Sequence, residues 1–157
     1  MKKEIFLRKG KLSDLDQIRQ LFFEAVTKLA LHDYTQAEVS VWASGAQDKE
    51  RWEKKIEAQH FIVAILDNKI IGFTSLLREN YIDHLFVSPN HKGIGVASIL
   101  IDNVEELAKK SGATILKSDV SITARPFFEK RGYVVVKRNE IQHKGEVLIN
   151  FDVIKQV

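Results

Sequence analysis

Cysteine is missing from all 157 residues. Without it there is no thiolate nucleophile, no cysteine-ligated zinc and no disulfide framework, so any group transfer must be non-cysteine chemistry, and the composition fits a reducing compartment. Proline (two residues) and glycine (eight) are too scarce for a fibrous or low-complexity disordered chain. Long apolar runs are missing as well: stretches such as residues 61–66 are strand-sized and far short of a membrane span. Residues 1–8 carry basic side chains but no signal-peptide hydrophobic region, so the expected location is cytoplasmic, with no membrane partner. Charge of one sign is not in excess either. Lys and Arg (24) are interspersed with Asp and Glu (21) for a net charge of +3, so no clustered basic footprint for nucleic acid is visible.

What is present is ordinary globular material, 45% hydrophobic and 29% charged, at a length that buries one continuous core. A single domain over residues 1–157 is therefore expected. Residues 4–8 read as a first strand, after which Ser13 with Asp16 three residues on resembles a helix cap. Leu15, Ile18, Phe22, Ala25, Val26 and Leu29 recur at helical spacing on a helix ending near Leu31. Thr35 and Asp48 are expected to cap two further helices, carrying Val39 and Trp42, then Trp52 and Ile56.

The pattern then turns to strands at 61–66 and 70–77 around a short turn, with another over 81–87. Val96, Ile99, Leu100, Val104, Leu107 and Ala108 form the stripe of an amphipathic helix closed by Gly112. A strand at 115–120 follows, then a helix with Thr123 as cap and Pro126 in its first turn. A last hairpin pairs 133–136 with 147–151 around Gly145. The order predicts an α/β fold: a mixed, mostly antiparallel central sheet with helices on both faces. Parallel pairing is confined to strands 81–87 and 115–120, joined by the amphipathic crossover helix.

The loop Lys92-Gly93-Ile94-Gly95-Val96-Ala97 runs from the 81–87 strand into that crossover helix. The free amides at the helix start make a ready anion site, two glycines let a diphosphate approach the backbone, and Lys92 adds positive charge. A tight turn with no ligand is the plain alternative. A triphosphate P-loop needs Gly-Lys followed by Ser or Thr, where Val96-Ala97 stand here. A dinucleotide fingerprint is closer, with Asp119 at about the expected distance downstream, but Ser98 replaces its third glycine.

On these residues the chain resembles the GNAT (GCN5-related) N-acetyltransferase family. Lys92 to Ala97 is similar to its R/Q-x-x-G-x-G/A signature, with lysine as the one departure. The run Ser121-Ile122-Thr123-Ala124-Arg125-Pro126-Phe127-Phe128-Glu129-Lys130-Arg131-Gly132-Tyr133 is similar to N-x-x-A-x-x-F-Y-E-x-x-G-F/Y. Tyr34-Thr35, Trp42-Ala43 and Ile122-Thr123-Ala124 resemble the YafP-like branch.

The resemblance implies acetyl-coenzyme A as cofactor, its diphosphate on the backbone of Lys92, Gly93, Ile94, Gly95, Val96 and Ala97. Its pantetheine arm would lie between the splayed strands against the main chain of Leu85, Phe86 and Val87. Ser121, at the family's Asn position, and Ala124, Phe127 and Phe128 would lie beside it. It also implies direct transfer of an acetyl or small acyl group to a primary amine in a ternary complex. The acceptor would be a small molecule or a peptide, and the resemblance leaves room for a homodimer.

Asp83 stands where relatives carry a carboxylate base acting through water; because neighbouring strand residues face opposite ways, Asp83 and His84 are not expected to line one cleft. A hydrogen-bonded packing histidine is the plain reading of His84, and a surface ion pair that of Asp83. The acceptor pocket is expected near His32, Tyr34 and Trp42, with His84 as a further substrate-side residue. Phe128 occupies the position of the family tyrosine that protonates the leaving thiolate, so Tyr133 is the candidate donor in its place. A non-catalytic acyl-coenzyme A sensor of the same fold is the alternative, and no metal is expected.

Overall fold

The computed structural model describes residues 4–157; the first three residues of the N-terminal run read above for a targeting signal lie outside them. Among the described residues, seven strands form one sheet: β1 (Phe6–Lys9), β2 (His60–Leu66), β3 (Lys69–Leu77), β4 (Tyr81–Val87), β5 (Ile115–Ser121), β6 (Val134–His143) and β7 (Glu146–Gln156), in the spatial order β1-β2-β3-β4-β5-β7-β6. All neighbours are antiparallel except β4 and β5, which pair in parallel over Tyr81↔Lys117 and Ile82↔Ser118. The predicted mixed sheet with one splayed parallel pair is the sheet observed.

Alternation along β2 explains the layering. Phe61, Val63 and Ile65 join Phe73 of β3 in a core with α1 (Leu15–Leu29), α2 (Gln36–Ala43) and α3 (Lys49–Ala58), whereas Ala64 packs with Val96 and Leu100 of α4 (Val96–Lys110). A third cluster seats Ile101, Val104 and Ala108 of α4 and Phe128 of α5 (Arg125–Lys130) on Leu116, Val120 and Val153.

Helix starts follow local side-chain chemistry, with two departures from expectation. Thr35 accepts from the Glu38 amide at 3.1 Å and Asp48 from the Arg51 amide at 3.2 Å, the predicted caps. Ser13, however, lies inside a 3-10 turn (Leu12–Asp14). Asp14 does the capping there, taking the Lys11 amide at 2.9 Å while Arg8 grips both its oxygens at 2.7 and 2.9 Å. The carboxylate is worth more at this place than a hydroxyl because, itself buried, it also pairs through both oxygens with the partly exposed Arg8 guanidinium. Likewise Thr123 does not cap α5. Its hydroxyl donates to Asp33 at 2.8 Å, and Ser121 Oγ takes the Ala124 amide at 3.0 Å. α1 ends at Leu29, two residues earlier than expected, and continues as a 3-10 turn over Ala30–His32.

Candidate active site at the strand splay

Beyond Ile82↔Ser118 the strands β4 and β5 separate, so the edge of β4 at residues 83–87 that faces β5 carries no ladder. Ser118 Oγ donates to the Ile82 carbonyl at 2.8 Å and closes off the last rung. A cavity of about 320 Å³ occupies the opening. Its walls include Leu85, Phe86 and Val87 of β4, Lys92 and Ala97 at one end, Ser121, Ala124, Phe127 and Phe128 opposite, and Ala25, Val26 and Leu29 of α1.

The loop before α4 shapes one end of this cavity. Gly93 and Gly95 adopt φ of +83° and +89°, a left-handed backbone that side chains with a Cβ resist, and Gly95 is the cap residue of α4. The first helical bond runs from the Ile99 amide to the Gly95 carbonyl at 3.1 Å. The amides of Val96, Ala97 and Ser98 are thus free of intrahelical partners at the positive end of a 15-residue helix. Gly93, Ile94 and Gly95 form the turn itself; the Val96 side chain is buried under it, 1% exposed.

β4 is bulged at its centre. The β3–β4 register passes from Ser75↔His84 to Leu76↔Ile82, leaving Asp83 as the extra residue. That bulge overturns the expectation that Asp83 and His84 cannot share a cleft. An inserted residue breaks the two-residue alternation, and both side chains line the first cavity and also a second one, of about 370 Å³. The Thr74 hydroxyl repairs the interrupted ladder by donating to the His84 carbonyl at 2.7 Å.

Lys55 of α3 and Gln59, the residue just past the end of that helix, supply what Asp83 and His84 need. Lys55 Nζ and Gln59 Nε2 donate to Asp83 Oδ2 at 3.0 and 2.8 Å. Lys55 Nζ also lies 3.0 Å from His84 Nε2. An ammonium has no lone pair, so Nε2 accepts and the ring proton sits on Nδ1. Burial, helped by the Lys55 and Arg51 charges, pulls His84 down to about 3 against the opposing pull of Asp83, so the ring is neutral at ordinary pH. Burial works to raise Asp83, but the hydrogen bonds from Gln59 and Lys55 and the Lys55 charge outweigh it and hold the carboxyl below its usual range.

The second cavity is walled by Phe22, Tyr34, Trp42 and Trp52, by Arg51 and Lys55 of α3, by Tyr81, Asp83 and His84 of β4, and by the β6–β7 hairpin through Ile141, His143 and Leu148. Tyr34 and Trp42 thus stand where an acceptor was expected. Tyr34 is also a strut: its hydroxyl donates to the Ile149 carbonyl at 2.5 Å and accepts from the Ile122 amide at 2.9 Å. Lys144 at the hairpin tip donates to Ser44 Oγ at 2.8 Å, tying the hairpin across to the α2–α3 connection.

Two expected site residues stand elsewhere. His32 is exposed on the turn after α1, outside both cavity walls, because that turn directs it to solvent. Tyr133 is 2% exposed and behind Phe128, their ring centres 5.0 Å apart, with its hydroxyl donating to Glu105 at 2.9 Å. Burial and the Glu105 charge push that phenol well above its usual range, so it is not a proton donor to the first cavity. Lys55, Gln59, Arg51, Tyr81 and Asp119 are the site residues that sequence reasoning missed. The visible signal was the spacing Arg51, Lys55, Gln59, which stacks three polar groups on one side of a helix running into a strand.

A model of the acetyltransferase (GNAT) domain matches residues 30–154. An uncharacterized N-acetyltransferase, YafP of Escherichia coli strain K12, is 36% identical over 147 residues, 94% of this chain and 93% of that one. Among solved structures, a GCN5-related N-acetyltransferase from Rhodopseudomonas palustris superposes with a TM-score of 0.95 at 34% identity, covering 100% of this chain and 99% of that one. The PaiA N-acetyltransferase of Thermoplasma acidophilum, solved in complex with coenzyme A, shares the fold at a TM-score of 0.79 and 19% identity, over 98% and 99% of the two chains.

Proposed function

This chain belongs to the GNAT acetyltransferase family, and from that premise we propose that it transfers an acetyl or small acyl group from acetyl-coenzyme A to a primary amine, directly, with both substrates bound. The observation that carries this reading is the meeting of two cavities at one bulge: Asp83, His84 and Ser121 stand in both walls. An acyl group brought along the first cavity and an amine brought along the second would come together there without crossing solvent, which is where positioning does most for the rate. A chain without cysteine has no thiol on which to park the acyl group, in keeping with direct transfer.

The residues present fit the cofactor. The free amides of residues 96–98 and the Lys92 ammonium suit its diphosphate. The unladdered edge of β4 at Leu85, Phe86 and Val87 suits the amide-bearing arm, which can add to it as a strand would. When bound, the thioester supplies an activated acyl carbon. On the acceptor side the aromatic rings of Tyr34, Trp42 and Trp52 exclude water, and Asp83 keeps its charge beside a neutral His84.

A second reading, an acyl-coenzyme A sensor, is favoured by Phe128: no hydroxyl projects from the ring at this place in the wall, and Tyr133 is committed to Glu105. Steady-state thiol release from acetyl-coenzyme A across a panel of primary amines, run beside an acetyl-coenzyme A thermal shift, separates the two. Turnover with any amine supports the enzyme; a thermal shift with no turnover across the panel supports the sensor.

A further inference from the structure

We propose that Asp119, rather than Asp83, takes the proton from the acceptor amine, which the site receives in its ammonium form; this rests on the reading that the second cavity holds an amine. Among the described residues, three titratable side chains stand in the walls of both cavities: Asp83, His84 and Asp119. The first two are already committed. His84 Nε2 accepts from Lys55, and one oxygen of Asp83 receives both Lys55 and Gln59. A carboxylate clamped by an ammonium and an amide is a weak base, and a buried imidazole facing an ammonium is weaker still.

Asp119 is placed differently. The last rung between β4 and β5 is Ile82↔Ser118, so Asp119 is the first residue of β5 past the rung, level with the bulged Asp83, where the strands begin to part. Its neighbours Ser118 and Val120 are buried, so alternation turns Asp119 to the other face, and it is exposed there. The groups around it do not neutralise it. Directly across on β7 is Asp152, whose carboxyl stands close enough to share a proton with it; the Tyr81 hydroxyl of β4 is near enough to offset part of its charge; and Asp83 adds a further negative charge. From β6, Asn139 Nδ2 donates to Asp152 Oδ1 at 2.7 Å and the Lys137 charge lies beside Asp152, so Asp152 is the member of the pair held ionised. Asp119 keeps part of its surface in solvent, and the partial desolvation of its carboxyl in the cleft, followed by Asp152, raises it to about 6. A carboxylate with a pKa near neutrality is a competent acceptor for an amine's proton at neutral pH.

The step balances within the two substrates and this side chain. The ammonium gives one proton to the Asp119 carboxylate. The freed nitrogen lone pair forms the C–N bond to the acyl carbon, the C–S bond breaks with its electron pair leaving on sulfur, and the second nitrogen proton passes to that sulfur. Asp119 returns its proton to solvent, so ammonium and thioester give amide, thiol and one proton.

The test is thiol release from acetyl-coenzyme A between pH 5 and 9 for wild type, Asp119→Asn, Asp119→Glu and Asp83→Asn, using a panel of primary amines and the best acceptor found, with an acetyl-coenzyme A thermal shift for each protein. Wild-type kcat/KM should fall as pH drops through about 6. Asp119→Asn should lose that limb and about a hundredfold or more of kcat near neutrality, in line with a lost general base. Asp119→Glu should recover part of the rate, Asp83→Asn should keep the limb, and the thermal shift should be unchanged in Asp119→Asn. A wild-type rate and limb in Asp119→Asn, or a limb that vanishes in Asp83→Asn instead, overturns the assignment and leaves the amine reading standing. Loss of the thermal shift in Asp119→Asn also overturns it, because the residue would then be structural. A wild type that binds acetyl-coenzyme A but releases thiol with no amine removes the amine reading, and the assignment with it.

Discussion

A methyl group at Gly72 would stand 2.8 Å from Cγ1 of Val96. It would also lie 3.1 Å from Leu100 Cδ1 and 3.2 Å from the Phe86 carbonyl, so the bare backbone of β3 is what lets α4 settle with its first turn against the sheet. Gly72→Ala is expected to lift that turn, at a cost of about 1–3 kcal/mol for overpacking. Because Val96 begins the helix whose free amides are proposed to hold the cofactor's phosphates, acetyl-coenzyme A affinity should fall together with stability. Chemical denaturation and cofactor titration on the same variant check both; a destabilised protein of unchanged affinity would uncouple the helix seat from the cofactor site.

Gly95→Val isolates the loop from the packing beneath it. No atom stands within 4 Å of a Cβ built at Gly95, so the fold has room for a side chain, and the cost is the left-handed φ of +89°, on the order of 1–2 kcal/mol. The melting temperature should fall by several degrees, about 2–8 °C for a chain of this size. If the diphosphate sits on this loop as proposed, the acetyl-coenzyme A thermal shift should disappear, since a branched side chain would stand where the phosphates reach the backbone. An undiminished shift would move the phosphate site off this loop.

Glu105 carries the acid stability of the second half of the sheet. Its side chain is 8% exposed and receives Lys155 at 2.8 Å, Tyr133 at 2.9 Å and Arg131 at 3.3 Å. Burial alone would raise its pKa, but Lys155, Tyr133 and Arg131 more than offset this and hold it below the ordinary 4.5. A depressed folded-state value means the contribution is fully present above the unfolded value and is lost as pH falls through the folded one. Glu105→Gln should therefore cost on the order of 1–3 kcal/mol at pH 7. The gap to wild type should narrow as the medium is acidified below about pH 4.5, the ordinary glutamate value. Urea denaturation of both proteins at several pH values measures the gap; a constant gap would assign the effect to packing.

Phe128 is 2% exposed yet forms part of the first cavity's wall. A phenol there has a path to the departing sulfur that the phenyl ring lacks. General acids contribute on the order of a hundredfold, and an unoptimised tyrosine should capture part of that as a raised kcat with an unchanged KM for acetyl-coenzyme A. Steady-state kinetics of Phe128→Tyr with an accepted amine decides it. Equal kcat values would mean that protonation of the thiolate does not limit turnover.

Much of this architecture was legible in residue order. The glycine loop into a helix of period 3.6, the hairpin around Gly145 and the caps at Thr35 and Asp48 are local signals, and each formed where local chemistry placed it. What escaped was set by long-range register. The bulge that makes Asp83 and His84 neighbours depends on how β3 and β4 slide past one another, and no residue type in the strand announces it. Tyr133 reads as a free phenol until its partner Glu105, 28 positions away, is brought under it. Asp119 stands out in the sequence only as an acid at the distance of a dinucleotide fingerprint; its character comes from Asp152, which only the β5–β7 pairing sets opposite. Cap identity fell between these extremes. Neither Ser13 nor Thr123 capped a helix: Asp14 receives the Lys11 amide ahead of the 3-10 turn while binding Arg8, Ser121 receives the Ala124 amide just before α5, and Thr123 bonds Asp33 instead.

The two-rung joint between β4 and β5 divides one sheet into a four-stranded block and a three-stranded block. In most sheets the weakest pairing lies at the rim, where fraying is harmless; here it runs through the middle. Beyond those rungs the blocks are held by the Ser118 and Tyr34 side-chain bonds and by helices spanning the gap. A ligand that lays peptide-like groups along the bare edge of β4 therefore fills in missing ladder. On the proposed placement the cofactor would become a strand of the sheet for as long as it stayed, and each turnover would end by withdrawing a structural member from the centre of the protein.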